Sequence, residues 1–366
     1  MTDDTGGPAR HIALVLHDFS GGGSERIAIR LAQRWAAAGR RVTIVAGTEA
    51  GVARPLADGL PVVEFRRGLT RSIPDRLRFG HAAAAMIAPL APDVVVCPGN
   101  WHVPAFAMAG LAGVRVPVVG KISNPIRVAE RGPPGQRLLN AYFARATRHF
   151  AALVAMSPAL AAEARGMLGR DVATIAEPNL ADDWTPPLAR ARQRVIVAAG
   201  RLMPQKDLGL ALATVAALGP EWRLDILGDG RERGRLEARA MALGVAGRVT
   251  FAGHVPDTAP YLARAAVFLC TSRYEGYPAV LVEALAAGTP VVTTPCSPAV
   301  PEIVTNPSFG RIARPNPAAL ADAVRAVAGS VPDPAATAAL LDQHRIGRSA
   351  AAWLALLDNV AMAPLR

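Results

Sequence analysis

The feature that most constrains this chain is a pattern it runs through twice: short β-branched runs alternating with stretches whose apolar residues recur at helical spacing. In the first half the runs are His11 to Leu16, Arg41 to Ala46, Val62 to Phe65, Val94 to Cys97, Val116 to Gly120 and Ala152 to Ala155. In the second half they are Arg194 to Ala199, Arg223 to Leu227, Val249 to Phe251, Val267 to Thr271 and Val291 to Thr294. Helical patterns separate them, as at Leu208 to Leu218, Arg231 to Leu243, Val280 to Ala287 and Ala318 to Ala328. A helix between successive strands carries the chain back to the starting end of the sheet, so the strands pair in parallel and need helices on both faces. With 366 residues, 51% of them apolar, the chain exceeds what one core usually holds. The expectation is α/β, with two doubly wound domains. The acidic, proline-paired stretch from Leu180 to Pro187 reads as the linker. We take the domains as 1–182 and 183–345, with a helix over 346–366 crossing back toward the first. The opening helix is the clearest, with Ile27, Leu31 and Trp35 on one stripe and Ser24 expected as its N-cap.

Other broad classes are disfavoured. The N-terminus is acidic and polar, unlike a secretory signal, and the most apolar stretches are interrupted by proline and glycine before reaching about 20 residues. A cytoplasmic protein without a membrane-spanning helix is expected. The cysteines Cys97, Cys270 and Cys296 are widely spaced and read as buried thiols in a reducing compartment. Aromatic residues are only 5% of the chain, which argues against base stacking and so against a nucleic-acid partner.

In doubly wound sheets, ligands bind at the carboxyl ends of the strands. The strongest local signal lies at such a place: Ser272-Arg-Tyr-Glu-Gly-Tyr-Pro-Ala-Val-Leu-Val-Glu-Ala-Leu-Ala-Ala-Gly-Thr-Pro-Val291. It leaves a buried strand, passes through a Gly/Pro loop and enters a helix near Pro278. Glu275 falls in the loop and Glu283 in the second helical turn. Backbone N–H groups at such a helix start can hold a phosphate, and carboxylates beside it can accept hydrogen bonds from sugar hydroxyls.

Two glutamates with seven residues between them, followed by Ala-Gly-Thr-Pro and a strand, resemble the EX7E signature of retaining GT-B glycosyltransferases, the group 1 or family 4-like enzymes. Gly200-Arg201-Leu-Met-Pro-Gln-Lys206-Asp207, then Leu227-Gly228-Asp229-Gly230, then Phe251-Ala-Gly-His254-Val255 follow the family's order. The resemblance implies two Rossmann-like domains facing a central cleft, with a nucleotide-diphosphate sugar as donor and no cofactor. It implies that Arg201 and Lys206 clamp the donor diphosphate, that Glu275 with Gly276, Tyr277 and Pro278 faces the transferred sugar, and that Glu283 holds the ribose. Backbone amides near Val280 and Leu281 would meet phosphate, and Gly228, Gly230, His254 and Val255 would line the nucleoside pocket. The reaction implied is transfer of a hexose with retention, in lipid-linked glycan, polysaccharide or glycolipid synthesis. A nucleotide-sugar epimerase of the same fold and an inactive sugar-nucleotide binder are the alternatives.

The first half carries Asp18-Phe-Ser-Gly-Gly-Gly-Ser-Glu-Arg26, a glycine loop opening a helix, where backbone can approach phosphate or sugar closely. By the resemblance, Gly22 and Gly23 meet donor phosphate and acceptor. The family commonly places a histidine after the strand near Val116, where this chain has Ser123 and Asn124. His102, on the preceding loop, is a further candidate for the cleft. No Asp-x-Asp pair occurs, so a metal-free site is expected. The net charge is +11, and basic residues cluster at Arg115, Lys121, Arg127, Arg131, Arg137, Arg145 and Arg148, interleaved with Leu138, Leu139, Tyr142 and Phe143. A second cluster holds Arg66, Arg67, Arg71, Arg76 and Arg78 against Asp75. Either these arginines are merely solvated, or a basic amphipathic helix rests on the anionic inner face of a cytoplasmic membrane, where a lipid-linked acceptor resides.

Overall fold

The computed structural model describes residues 8–20, 22–99, 116–126, 132–185 and 192–363. The chain divides into two units, Met1–Asp182 with His344–Arg366, and Asp183–Gln343.

In the first unit β1 (His11–Leu16), β2 (Arg41–Ala46), β3 (Val62–Glu64), β4 (Val94–Cys97), β5 (Val118–Ile122), β6 (Ala152–Ala155) and β7 (Ala173–Thr174) form one parallel sheet. Their order is β3-β2-β1-β4-β5-β6-β7, so the winding reverses between β1 and β4. Every residue of β1 is buried, as a central strand covered on both faces must be. The helices Gly23–Ala37 and Ile346–Met362 share one core with β1 and β4, through Ile29, Trp35, Trp353 and Leu357 beside Ile12, Leu14 and Val94. The Trp35 and Trp353 rings lie 6.1 Å apart. Arg40 grips Asp358 through both guanidinium NH2 groups at 3.0 and 2.9 Å, and Asp358 also accepts the Ala9 amide at 3.0 Å.

In the second unit β8 (Gln193–Ala199), β9 (Arg223–Leu227), β10 (Val249–Gly253), β11 (Ala265–Cys270), β12 (Val291–Thr293) and β13 (Gly310–Ile312) pair in parallel in the order β10-β9-β8-β11-β12-β13. The winding reverses between β8 and β11. Leu212, Val215, Leu224, Ile226, Val267 and Val324 lie in the core on one side of this sheet.

Several sequence expectations are corrected. β5 begins at Val118 rather than Val116, because Pro117 has no N–H to give the ladder and only its carbonyl takes part, accepting from Val95 at 2.9 Å. The first helix begins at Gly23, so Gly22 is its N-cap and Ser24 lies inside the first turn. The short β7 and β13 had no periodic signal to reveal them. Leu180 and Asp182 are not free linker: Leu180 exchanges backbone bonds with His344 and Ile346, and Asp182 accepts from the Gly347 amide at 2.8 Å.

Candidate functional site

Reversal of the winding between β8 and β11 leaves a crevice at their carboxyl ends, and the loops leaving both strands carry the signature residues. Gly200, directly after β8, has φ 141, and Gly228, directly after β9, has φ 132. A Cβ on Gly228 would lie 2.1 Å from the Gly200 carbonyl oxygen, and one on Gly200 would lie 2.8 Å from Lys206 Cε. Glycine at both positions lets the loops touch and lets the lysine stem pass over them.

The segment carrying Lys206 is stitched to the loop after β11. The Thr271 hydroxyl donates to the Lys206 carbonyl at 3.0 Å, the Arg273 amide to the Gln205 carbonyl at 2.8 Å, and the Gln205 side-chain amide to the Tyr274 carbonyl at 2.9 Å. Asp207 turns the chain in the left-handed region at φ 42, ψ 46, a cost of about 1–2 kcal/mol for a residue with a Cβ, and its carboxylate accepts from Arg273 Nε at 3.1 Å.

These ties bring Lys206 Nζ to 2.6 Å from Glu275 Oε1, which also accepts the Ser272 hydroxyl at 2.6 Å. Burial alone would lower the lysine's pKa; its charge interaction and hydrogen bond with Glu275 overcome this and raise it. Lys206 is therefore a fixed cation. Glu275 is buried, and its amide donates to the Cys296 carbonyl at 2.7 Å. Beneath it the buried thiols of Cys270 and Cys296, distant in sequence, are brought together. Their mutual interaction lowers the pKa of Cys270 and raises that of Cys296, whose burial adds to the rise.

The other second-unit candidates line the same edge of the sheet. Arg201 is exposed, and its guanidinium makes no hydrogen bond among the described residues. The helix Ala279–Ala286 has Pro278 at its N-cap and Glu283 in its second turn, partly buried like Tyr277 and Val280. Leu281, nominated as a phosphate amide, donates to the Pro278 carbonyl at 2.9 Å. The buried Gly276 accepts the Ser297 hydroxyl through its carbonyl. Gly228 donates to the Gly253 carbonyl at 2.7 Å, and a Cβ on Gly230 would lie 2.5 Å from the Leu202 carbonyl oxygen. His254 is exposed and Val255 partly buried just past β10. Sequence reasoning missed Ser272 as a partner of Glu275, although it opens the motif, and the supporting part played by Asp207.

In the first unit Gly22 and Gly23 stand at the start of the helix Gly23–Ala37. Ser123 and Asn124, partly buried, follow β5 directly. His102 lies outside the described residues, as do Arg115, Arg127 and Arg131. Lys121 is no surface cation: the shifted β5 places it inside the unit, 2.5 Å from Glu177 and buried with it. The second arginine cluster is also partly neutralised, since Arg71 pairs with Asp18 and Glu25, and Arg78 with Asp75. The helix Pro133–Thr147 does expose apolar side chains one turn apart, Leu138 at 73% and Tyr142 at 39%, beside the exposed Arg137 and Arg145. Among the described residues no helix is long and apolar enough to cross a membrane, and no group of three or more His, Cys, Asp or Glu side chains converges as a metal site.

Comparison with known proteins gives a consistent result. Residues 21–176 match the model of Glycosyltransferase Family 4, and residues 193–330 match that of Glycosyl transferases group 1. A lipopolysaccharide core biosynthesis glycosyltransferase of Rhizobium meliloti is 44% identical over 100 residues, 27% of this chain and 29% of that protein. A GDP-mannose-dependent phosphatidylinositol dimannoside mannosyltransferase of Mycobacterium tuberculosis is 36% identical over 150 residues, 39% of this chain and 37% of that protein. The chain thus spans well under half the length of these curated relatives. In fold, it is similar to HepE of Anabaena, solved with UDP and glucose, at a TM-score of 0.79 and 18% identity over 96% of this chain and all of the other. From the two family models and the paired parallel sheets, the chain belongs to the group 1, family 4 glycosyltransferases and has the GT-B fold.

Proposed function

We propose that this protein transfers a hexose from a nucleotide-diphosphate sugar to a glycan acceptor, with retention of anomeric configuration and without a metal ion. The observation that carries the reading is the Lys206–Glu275 pair at the β8/β11 reversal, with exposed Arg201 on the same edge. Two cations there can take up charge on a leaving diphosphate, and a helix start beside them offers further dipole. Glu275 keeps a second carboxylate oxygen for a sugar hydroxyl, and Glu283 reaches the ribose. No protein nucleophile is required if the leaving phosphate accepts the acceptor's proton. The bound UDP and glucose of the Anabaena protein and the GDP-mannose dependence of the mycobacterial one support a nucleotide-sugar donor and leave the base open.

The test is incubation with UDP-glucose and with GDP-mannose, with and without short-chain lipid-linked and free oligosaccharide acceptors, in the presence of chelator. Product is expected only with acceptor, and unchanged by EDTA. Loss of product in EDTA, restored by manganese or magnesium, would overturn the metal-free assignment. Conversion of donor sugar without acceptor would make the protein an epimerase.

The acceptor we assign is lipid-linked, presented at the inner face of a cytoplasmic membrane. Support comes from the exposed Leu138 and Tyr142 flanked by Arg137 and Arg145, which suit the boundary of an anionic bilayer. Binding to vesicles containing phosphatidylglycerol should weaken steeply as salt rises, because exposed charges are screened within about 10 Å at 0.1 M. Charge reversal at Arg137, Arg145 and Arg148 should abolish that binding and leave nucleotide binding intact. A wild type that ignores these vesicles at low salt sinks the membrane assignment.

A further inference from the structure

We propose that Arg71 is a positioning residue that fixes residues 18–20 and 22–25, between the end of β1 and the first turn of the helix Gly23–Ala37, and through them the acceptor site; the inference rests on the transferase reading above. Asp18 and Glu25 flank that loop in sequence, and both are buried, with 7% of each residue exposed. Two buried carboxylates this close are costly without a cation. Arg71 supplies it from the segment between β3 and the helix Ile73–Ile87.

Its guanidinium grips Asp18 like a fork, Nε to Oδ2 at 2.6 Å and Nη2 to Oδ1 at 2.7 Å. The same Nη2 reaches Glu25 Oε1 at 2.7 Å and the Ser20 hydroxyl. One side chain therefore ties the strand end, the loop and the first helical turn together. Asp18 is fixed from its other sides as well: His17 Nδ1 lies 3.2 Å away, and the Ser20 amide donates to it at 2.9 Å. Burial would raise the Asp18 pKa, but these bonds, Arg71's first, hold it well below the usual carboxylate range.

The consequence falls on the glycines. Glu25, held by Arg71, folds back over the helix start so closely that a Cβ on Gly22 would lie 2.4 Å from Oε2. That side of the loop is closed. A Cβ on Gly23 would meet nothing within 4 Å among the described residues, so this is the side left for a ligand. Arg71 does not act as an anion binder here, since one cation faces two carboxylates. The geometry suits an acceptor that presents neutral hydroxyls to this loop.

The test uses the full chain and the donor–acceptor pair that shows turnover in the assay above, with UDP and GDP as binding probes. Arg71→Ala should raise the acceptor KM by about ten-fold or more while nucleotide Kd changes by less than about three-fold, since the nucleotide's candidate contacts lie chiefly in the second unit and stay in place. Amides of residues 18–20 and 22–25 should exchange hydrogen about ten-fold faster in that variant. Added methylguanidinium should restore part of the KM, which a general loss of folding would not allow. Should Arg71→Ala fail to fold, Arg71→Lys keeps the charge but not the fork and should show the same KM shift. Wild-type acceptor KM in the variants, or nucleotide Kd weakening in step with it, overturns the proposal while leaving the transferase reading in place. Absence of any transfer by the wild type overturns both.

Discussion

Lys206→Ala and Arg201→Ala should each reduce transfer by a factor on the order of 10² or more, the loss expected when a positioned charge is withdrawn from a leaving group. The structure separates the two variants. Arg201 is exposed and its guanidinium bonds to nothing among the described residues, so its loss should leave the melting temperature unchanged. A fall in kcat would then report electrostatics alone. Lys206 is different: removing it strands the buried carboxylate of Glu275 with, among the described residues, only the Ser272 hydroxyl on its Oε1. That variant should lose stability as well as turnover, because breaking one half of a buried pair leaves the other half uncompensated. Initial rates with UDP-glucose and GDP-mannose, beside thermal melts, decide the matter. Rates within about three-fold of wild type in both variants would remove the diphosphate clamp from the site.

Glu275→Ala and Glu283→Ala should fail in different ways. Glu275 touches the cation and, in the function proposed above, faces the reacting sugar, so its loss should cut kcat by a factor of about 10² with a smaller change in donor KM. Glu283 belongs to the helix that follows, and its loss should chiefly raise donor KM through the ribose contact. Because Lys206 and Glu275 are direct partners at 2.6 Å, the double variant Lys206→Ala, Glu275→Ala should be far less damaged than the product of the single effects. Multiplicative losses would mean that the pair is a structural contact and that each residue acts alone. Wild-type kinetics in both single variants would sink the assignment of the site.

The two sheets were legible because β1, β4 and β11 are buried throughout and therefore read as unbroken apolar runs. The residues that meet at the edge after β8, β9 and β11 were legible as a group because they sit within short, ordered windows: Gly200 to Asp207, Leu227 to Gly230, Ser272 to Glu283. What escaped depended on contacts between distant segments. Nothing local in the sequence says that Arg71 reaches Asp18, 53 residues away, or that Lys121 meets Glu177, 56 residues away. Counting charges along the chain therefore overstated the basic surface, since the partners that cancel Arg71 and Lys121 lie elsewhere in sequence. The helix start slipped for a similar reason. Ser24 has the usual chemistry of a cap, but Glu25 is pulled back over Gly22 by an arginine that no window around the helix contains.

The return of the last helix to the first unit has a consequence for how this protein is made. Trp353 and Leu357 fill the same core as Trp35 and Ile12, and Asp358 answers the buried Arg40. A ribosome that has finished the first unit's sheet must still deliver the whole second unit before these side chains emerge. Until then, the face of the sheet that they cover stays exposed and Arg40 has no carboxylate beside it. The second unit, contiguous from Asp183 to Gln343, has no such wait. In the nascent chain the second unit is complete first, although it is encoded after the first unit's sheet, and the first unit closes only once the helix Ile346–Met362 has emerged.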